Sequence, residues 1–328
     1  MSVRRTEAEE AAPPVSVRIS LTDRCMLRCA YCVPETGRCA VERDVCSASD
    51  IVRLVELLRT RYPVEKVRLT GGEPLLRRDV TDIVAGIVQG GVPDVAVTTN
   101  GQRLAATARE LRDAGLSRVN VSLDTLRPDC FKNLAGGGSL RAALAGIDAA
   151  LECGLAPVKV NMVVLRGVND GEVEGMLRFG LRRGVVVRFL EVMPIGPAAS
   201  RFGEWFVSTK EVRARLEKAF RLDVAPLAAS GASRDFAVQD EDGRKGTVGF
   251  ISSCSSPFCD GCRKLRLASD GRLIGCLAAG DGPLIGEHLR RNRKQDRRAV
   301  LDLVQTALSA KQPRGEFTTS RLMASVGG

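Results

Sequence analysis

The chain has 328 residues, enough for one large domain or two ordinary ones, and 44% of them are hydrophobic, so a sizeable core can be buried. Aromatic residues make up only 4%, which leaves Val, Leu, Ile and Ala to build that core. The net charge of +10 suits an anionic partner such as nucleic acid or a polyphosphate, while no apolar run approaches the ~20 residues of a membrane span.

Residues 1–14 carry charge but no apolar signal core; they read as a disordered tail and argue against secretion. From residue 15 to about 192, short β-branched runs alternate with amphipathic stretches of helical length. Strands are predicted at 15–20, 64–69, 95–99, 118–123, 158–164 and 185–192, with helices near 49–61, 79–90, 103–114, 139–153 and 170–183. This is an α/β pattern of βα units on a parallel sheet. Periodicity alone fits a doubly wound sheet or a partial barrel. The unusual polar and glycine-rich sequences follow strands: Thr70-Gly71-Gly72-Glu73-Pro74, Thr98-Thr99-Asn100-Gly101 and Ser122-Leu123-Asp124. In parallel α/β folds the site lies on that side of the sheet. Farther on, Ser208-x-x-Glu211 predicts a capping box opening a helix to about Phe220. Residues 225–245 read as a loop or linker. A hairpin is expected where Asp270-Gly271 separates 264–267 from 272–277, and a last helix near 295–310.

Eleven cysteines are many for an intracellular chain, and they cluster. An odd total with tight groups argues for metal ligation in a reducing, cytoplasmic compartment rather than a disulfide framework. Cys25, Cys29 and Cys32 follow the first strand. Three thiolates can hold a cubane iron–sulfur cluster whose fourth iron stays open for a small molecule. A three-Cys zinc site is the alternative on spacing alone, although the one His, His288, is far away. Cys259, Cys262 and Cys276 offer three more ligands, with Cys254 as a fourth if the metal is zinc. Cys39, Cys46, Cys130 and Cys153 lie in no ligand spacing.

The C-x3-C-x2-C run with Tyr31 before its last Cys, and Gly71–Pro74 after the second strand, resemble the radical S-adenosylmethionine (SAM) superfamily. A longer ordered set of matches resembles its GTP 3′,8-cyclase family. These are Val17-Arg18-Ile19-Ser20 with Thr22-Asp23-Arg24-Cys25, Arg68 through Leu75, Val158-Lys159-Val160-Asn161 with Gly167-Val168-Asn169-Asp170, and Arg188 through Gly196. Phe258 through Cys262, Leu265-Arg266-Leu267, Asp270-Gly271 and the terminal Gly327-Gly328 complete them. The resemblance implies a partial (βα)6 TIM-like barrel over 15–224 and a C-terminal extension, 225–328, carrying a second iron–sulfur cluster. The cofactors implied are two [4Fe–4S] clusters, held by the two cysteine triplets, and SAM. The reaction implied turns GTP into 3′,8-cyclo-7,8-dihydro-GTP, the first step of molybdenum cofactor (molybdopterin) biosynthesis.

By the same resemblance Tyr31, Gly72, Ser122 and Met193 contact SAM. Arg18, Arg68, Thr99, Lys159 and Arg266 bind GTP, chiefly its phosphates, with Lys66, Asn161, Arg188, Lys264 and Leu265 in the same pocket. Arg18, Arg266 and the tail glycines Gly327 and Gly328 are the catalytic candidates. Guanidinium forks and ammonium heads match a triphosphate. Where the family usually has Arg two residues after Cys262, this chain has Lys264, which keeps the charge and loses the bidentate fork. Implied partners are GTP, an electron donor, the next enzyme of the pathway, which makes cyclic pyranopterin monophosphate, and a second copy in a homodimer; neither membrane nor nucleic acid is expected. The rivals are a radical SAM peptide or protein modifier with an auxiliary cluster and a basic iron–sulfur or zinc nucleic-acid-binding protein. The second predicts stacking aromatics, against one Trp and two Tyr.

Overall fold

The computed structural model describes residues 12–34, 46–224, 232–278, 282–311, 317, 319 and 321–327. Six βα units come first. They run β1 (Val15–Ser20), α1 (Ala48–Arg59), β2 (Val64–Thr70), α2 (Val80–Gln89), β3 (Asp94–Thr99), α3 (Leu104–Asp113), β4 (Arg118–Ser122), α4 (Pro128–Ala135), α5 (Leu140–Glu152), β5 (Lys159–Val164), α6 (Val173–Arg183) and β6 (Val186–Glu191). Two single turns, α7 (Pro197–Ser200) and α8 (Phe202–Trp205), lead to α9 (Thr209–Leu216). The rest comprises β7 (Arg221–Val224), β8 (Arg234–Gln239), β9 (Lys245–Ile251), β10 (Lys264–Leu267), β11 (Leu273–Ile274), α10 (Gly286–Arg291), α11 (Lys294–Ser309) and α12 (Met323–Val326).

All eleven strands form one sheet in the order β11-β10-β1-β2-β3-β4-β5-β6-β9-β8-β7. The six central strands are parallel and lie in chain order. A doubly wound sheet would reverse direction at a switch point; this sheet does not, and side chains from all six strands line one cavity. The sheet is therefore curved into the partial barrel, open between β7 and β11.

The period-2 pattern explains which face is which. Val17 and Ile19, Val67 and Leu69, Val160 and Met162, and Val187 and Phe189 are at most 2% exposed and belong to the core cluster. The residues between them, Arg18, Arg68, Asn161 and Arg188, line the cavity on the opposite face. Charges within apolar strands thus mark the concave side.

The structure corrects three expectations. The stretch 225–245, expected to be a loop or linker, holds β8 and the first residue of β9, and the two strands form an antiparallel hairpin that adds to β6. The helix after Ser208 ends at Leu216, and β7 begins at Arg221. Its capping box is half made: Ser208 Oγ accepts from the Glu211 amide at 3.2 Å, but the Glu211 carboxylate pairs with Arg166 and Arg215. The Asp270-Gly271 hairpin forms as expected, with Arg266 opposite Ile274, and β10 joins β1 in parallel. Of the expected tail, 1–11 lie outside the described residues, whereas Ala12 packs against the core. Among the described residues no helix is long and apolar enough to cross a membrane.

Candidate active site

A cavity of about 330 Å³ opens at the carboxyl ends of the strands, and all six cysteines of the two triplets line it. Cys25, Cys29 and Cys32 sit on the loop leaving β1. That loop presses on the turn after β2: the Gly72 amide donates to the Thr22 carbonyl at 2.6 Å and the Glu73 amide to the Arg24 carbonyl at 2.7 Å. A Cβ at Gly71 would lie 2.4 Å from Thr22 O, and one at Gly72 2.3 Å from Arg24 O. Only glycine fits at either position. Glu73, fully buried, accepts from Thr99 Oγ1 and the Asn100 amide at 2.7 Å each and from the Leu75 amide at 3.0 Å. Burial pushes its pKa up against these hydrogen bonds. The Asn100 side-chain amide in turn lies 3.6 Å from Cys25 Sγ.

A buried carboxylate lies beside this first group. Asp124 accepts from Tyr31 Oη at 2.6 Å and from the Val163 amide at 2.8 Å, and burial pushes its pKa up to about 6. Burial, then Asp124 and the neighbouring Cys32 and Cys25, drive the Cys29 thiol well above its ordinary value. Burial and Asp124 do the same to the Tyr31 hydroxyl.

The second group lies among cations. Burial opposes ionisation of Cys262, but the Lys264 amide and the Lys311 and Lys264 ammonium groups outweigh it and lower its pKa. Burial, then Cys276 and Cys262, raise that of Cys259. The loop before this group is pinned by Glu191, 2% exposed, which accepts from the amides of Thr209, Cys254 and Ser255 at 2.9 Å each. Cys254 points away; its thiol donates to the Val192 carbonyl at 3.5 Å.

Between the groups runs a row of guanidiniums. Strand register sets Arg18 beside Arg266 on one side and Arg68 on the other. Burial first, then Arg266 and Arg68, lowers the Arg18 pKa well below its ordinary value. Arg68 and Arg266 are lowered to about 10, burial again the largest cause. Each remains a cation at neutral pH at an electrostatic cost of about 3 kcal/mol. Arg68 Nε, Arg188 Nε and Asn161 Oδ1 are buried without a hydrogen-bond partner. A row of buried like charges with orphaned polar atoms is an anion site. It continues into a second cavity of about 150 Å³, where Lys66, Lys159 and Arg118 join Arg18, Arg68, Arg188 and Lys264. Burial, then Arg188 and Arg118, brings Lys159 down to about 8. Lys264 is brought to about 7 by burial, Arg18 and Arg266, and its ammonium lies 4.8 Å from the Phe258 ring centroid.

The donor sets fit iron–sulfur clusters. Each group puts three thiols on the cavity, and none of the described cysteines is in a disulfide.

The sequence matches the Radical SAM superfamily over residues 19–180 and Molybdenum Cofactor Synthesis C over 185–317. It is 39% identical to a GTP 3′,8-cyclase of Listeria monocytogenes over 95% of this chain and 96% of that protein. It is 40% identical to the Heliobacterium modesticaldum protein of the same name, over 95% and 97%. The chain belongs to the GTP 3′,8-cyclase family. SAM and a [4Fe–4S] cluster are cofactors of the superfamily to which that family belongs. The fold is similar to the crystal structure of Streptococcus suis SuiB bound to S-adenosylmethionine, with a TM-score of 0.60 at 14% identity, covering 84% of this chain and 64% of that one.

In this GTP 3′,8-cyclase family member, Tyr31, Gly72, Ser122 and Met193 line the cavity with the first thiol group. Arg18, Arg68, Thr99, Asn161, Arg188, Lys264 and Arg266 line it too. Lys66 and Lys159 face the smaller cavity. Leu265 differs: its side chain is 0% exposed in the core and lines neither cavity. The Thr99 hydroxyl is engaged, donating to Glu73 and accepting from the Gly101 amide at 3.0 Å. The tail folds back so that Arg18 and Arg266 both donate to the Gly327 carbonyl at 3.1 Å. Gly328 lies outside the described residues. Sequence reasoning assigned no role to Glu73, Asp124, Arg118, Glu191 or Lys311. The first four had a visible signal, an acid or Arg inside or just after a strand, whereas Lys311 follows an amphipathic helix and had none.

Proposed function

We propose that the chain is a radical SAM GTP 3′,8-cyclase that converts GTP to 3′,8-cyclo-7,8-dihydro-GTP, the first step of molybdenum cofactor biosynthesis. The observation that carries this reading is the buried row Arg266–Arg18–Arg68 set between two three-thiol groups on one cavity. Cys25, Cys29 and Cys32 hold one [4Fe–4S] cluster, and Cys259, Cys262 and Cys276 a second. When bound, the first cluster and SAM supply the one-electron chemistry that removes hydrogen from ribose C3′, so that the carbon radical closes on guanine C8.

The protein's own residues bind, orient and exclude water. Tyr31, Gly72, Ser122 and Met193 form the SAM side. Arg18, Arg68, Arg188 and Arg266, with Lys66 and Lys159 beyond them, take the triphosphate. A bound anion offsets the burial that lowers the pKa values of Arg18, Arg68, Arg188, Arg266 and Lys159, and binding energy won there fixes ribose and base. Thr99 acts by orienting Glu73, and Leu265 by packing behind Arg266. Arg18 and Arg266 hold the Gly327 carbonyl, which carries the tail to the reacting nucleotide. An external donor must supply two electrons, one for SAM cleavage and one, with a proton, to reduce the nucleotide radical left by ring closure, and the product passes to the enzyme that makes cyclic pyranopterin monophosphate. We place the change of role at residue 224, with the SAM chemistry before it and the second cluster after it, in a cytoplasmic protein.

Anaerobically reconstituted protein given GTP, SAM and dithionite is expected to release 5′-deoxyadenosine together with the cyclised nucleotide. Release of 5′-deoxyadenosine with GTP recovered unchanged would overturn the reading.

A further inference from the structure

Lys311 lies two residues beyond α11, and its side chain turns into the cavity beside the second thiol group. Its ammonium donates to the Lys264 carbonyl and the Gly275 carbonyl at 2.7 Å each, and lies 3.5 Å from Cys262 Sγ. Lys264 is two residues after Cys262, and Gly275 is the residue before Cys276. One head group therefore ties together the two strand ends that carry two of the three thiols. All three donors of an ammonium are used, so the head has one orientation. Gly275 is constrained from the same helix: a Cβ there would lie 2.2 Å from the Ala307 carbonyl, near the end of α11. Helix end and cysteine hairpin are thus in contact at two points.

We propose that Lys311 is the positioning residue of the Cys259–Cys262–Cys276 group, setting the spacing of Cys262 and Cys276 and placing a fixed positive charge on the Cys262 sulfur. This rests on the reading that the group holds a cluster. Groups that orient metal ligands without binding the metal affect metal affinity by about 10–100-fold. Hydrogen bonds to ligand sulfur and net charge set the potential of an iron–sulfur cluster. Both effects act here through one side chain, and only on the second group.

The test uses the full chain in two backgrounds. In Cys25→Ala/Cys29→Ala/Cys32→Ala, only the second group is left to bind iron. Adding Lys311→Met should lower iron retention against a chelator by about tenfold and move the midpoint potential to a more negative value. Lys311→Arg, which keeps the charge but not the geometry, should restore the potential more than the retention. In the reciprocal background, Cys259→Ala/Cys262→Ala/Cys276→Ala, Lys311→Met should leave iron retention unchanged. Unchanged retention and potential in the first background would overturn the proposal, as would equal loss in both. No iron in the first background with Lys311 intact would instead show that the group holds no cluster, and the inference would fall with that reading.

Discussion

The two cysteine groups have the same number of thiols and share one cavity, yet Cys29 and Cys262 face charges of opposite sign. Cys29 sits with Asp124 and Tyr31, and its ionisation is opposed by burial and by the Asp124 carboxylate. Cys262 sits with Lys311 and Lys264, and its ionisation is favoured. Spacing along the chain distinguishes the groups only by loop length. Their charge environment distinguishes them by use: a cationic wall belongs beside an anionic substrate, and an acidic one does not. The supports are nonetheless alike. A single buried glutamate anchors each group, Glu73 through Asn100 beside Cys25 and Glu191 through the amides of Cys254 and Ser255 ahead of Cys259.

The largest effect should come from breaking one group at a time. Cys29→Ala is expected to abolish SAM cleavage, whereas Cys276→Ala should keep some cleavage and lose cyclisation. Chromatography of 5′-deoxyadenosine and of the nucleotide product separates the two, and equal loss of cleavage in both variants would erase the contrast.

Removing Gly327 and Gly328 strikes only the basic side, because Arg18 and Arg266 lose the carbonyl they share. GTP binding and both clusters should persist while cyclised product falls steeply, on the order of a hundredfold, the loss a small misplacement of reacting groups can cause once the acceptor shared by Arg18 and Arg266 is gone. A truncated enzyme turning over at the parent rate would make the tail an ordinary terminus.

The glutamates sharpen the comparison further. Glu73→Gln and Glu191→Gln each leave buried amide donors facing an NH2 group, which costs about 1–3 kcal/mol per lost partner. Urea unfolding should show that loss in both. Iron retention should fall at the first group for Glu73→Gln and at the second for Glu191→Gln; crossed or equal effects would remove the anchoring roles.

A smaller, pH-dependent effect belongs to Lys159. Its pKa is depressed in the fold to about 8 from 10.5, chiefly by burial. Its contribution to stability is therefore unfavourable at neutral pH and is relieved as pH rises through 8 and the amine loses its proton. Triphosphate binding requires the charged form. Its share of GTP affinity should fall as pH rises above 8, by at most about tenfold per pH unit, since binding must then take up a proton. Calorimetry across that range should find the dependence reduced in Lys159→Arg. An unchanged slope in the variant would place the titrating group elsewhere.

Most of the barrel was legible because short β-branched runs alternate along the chain with amphipathic stretches of helical length. Arg18 and Lys159 were conspicuous because a charge inside such a strand must face a cavity. The hairpin β8–β9 was not legible. Its strands expose Arg234, Ala237, Lys245 and Gly246 and join the sheet through β6, a pairing that local sequence cannot encode. In the site, the cysteines and arginines announced themselves by type and spacing. The reason for Gly71 and Gly72 did not, because it lies in the backbone of a loop some fifty residues earlier in the chain. Lys311 was silent for the same reason: its partners are carbonyls, and any sequence supplies those.

The division of labour between the groups is tested most directly by the electron paramagnetic resonance spectrum of each reduced cluster in isolation. In the variant lacking Cys259, Cys262 and Cys276, adding SAM should change the spectrum and adding GTP should not. In the variant lacking Cys25, Cys29 and Cys32, GTP should change it and SAM should not. A GTP response at the first group, or none at the second, would contradict the account.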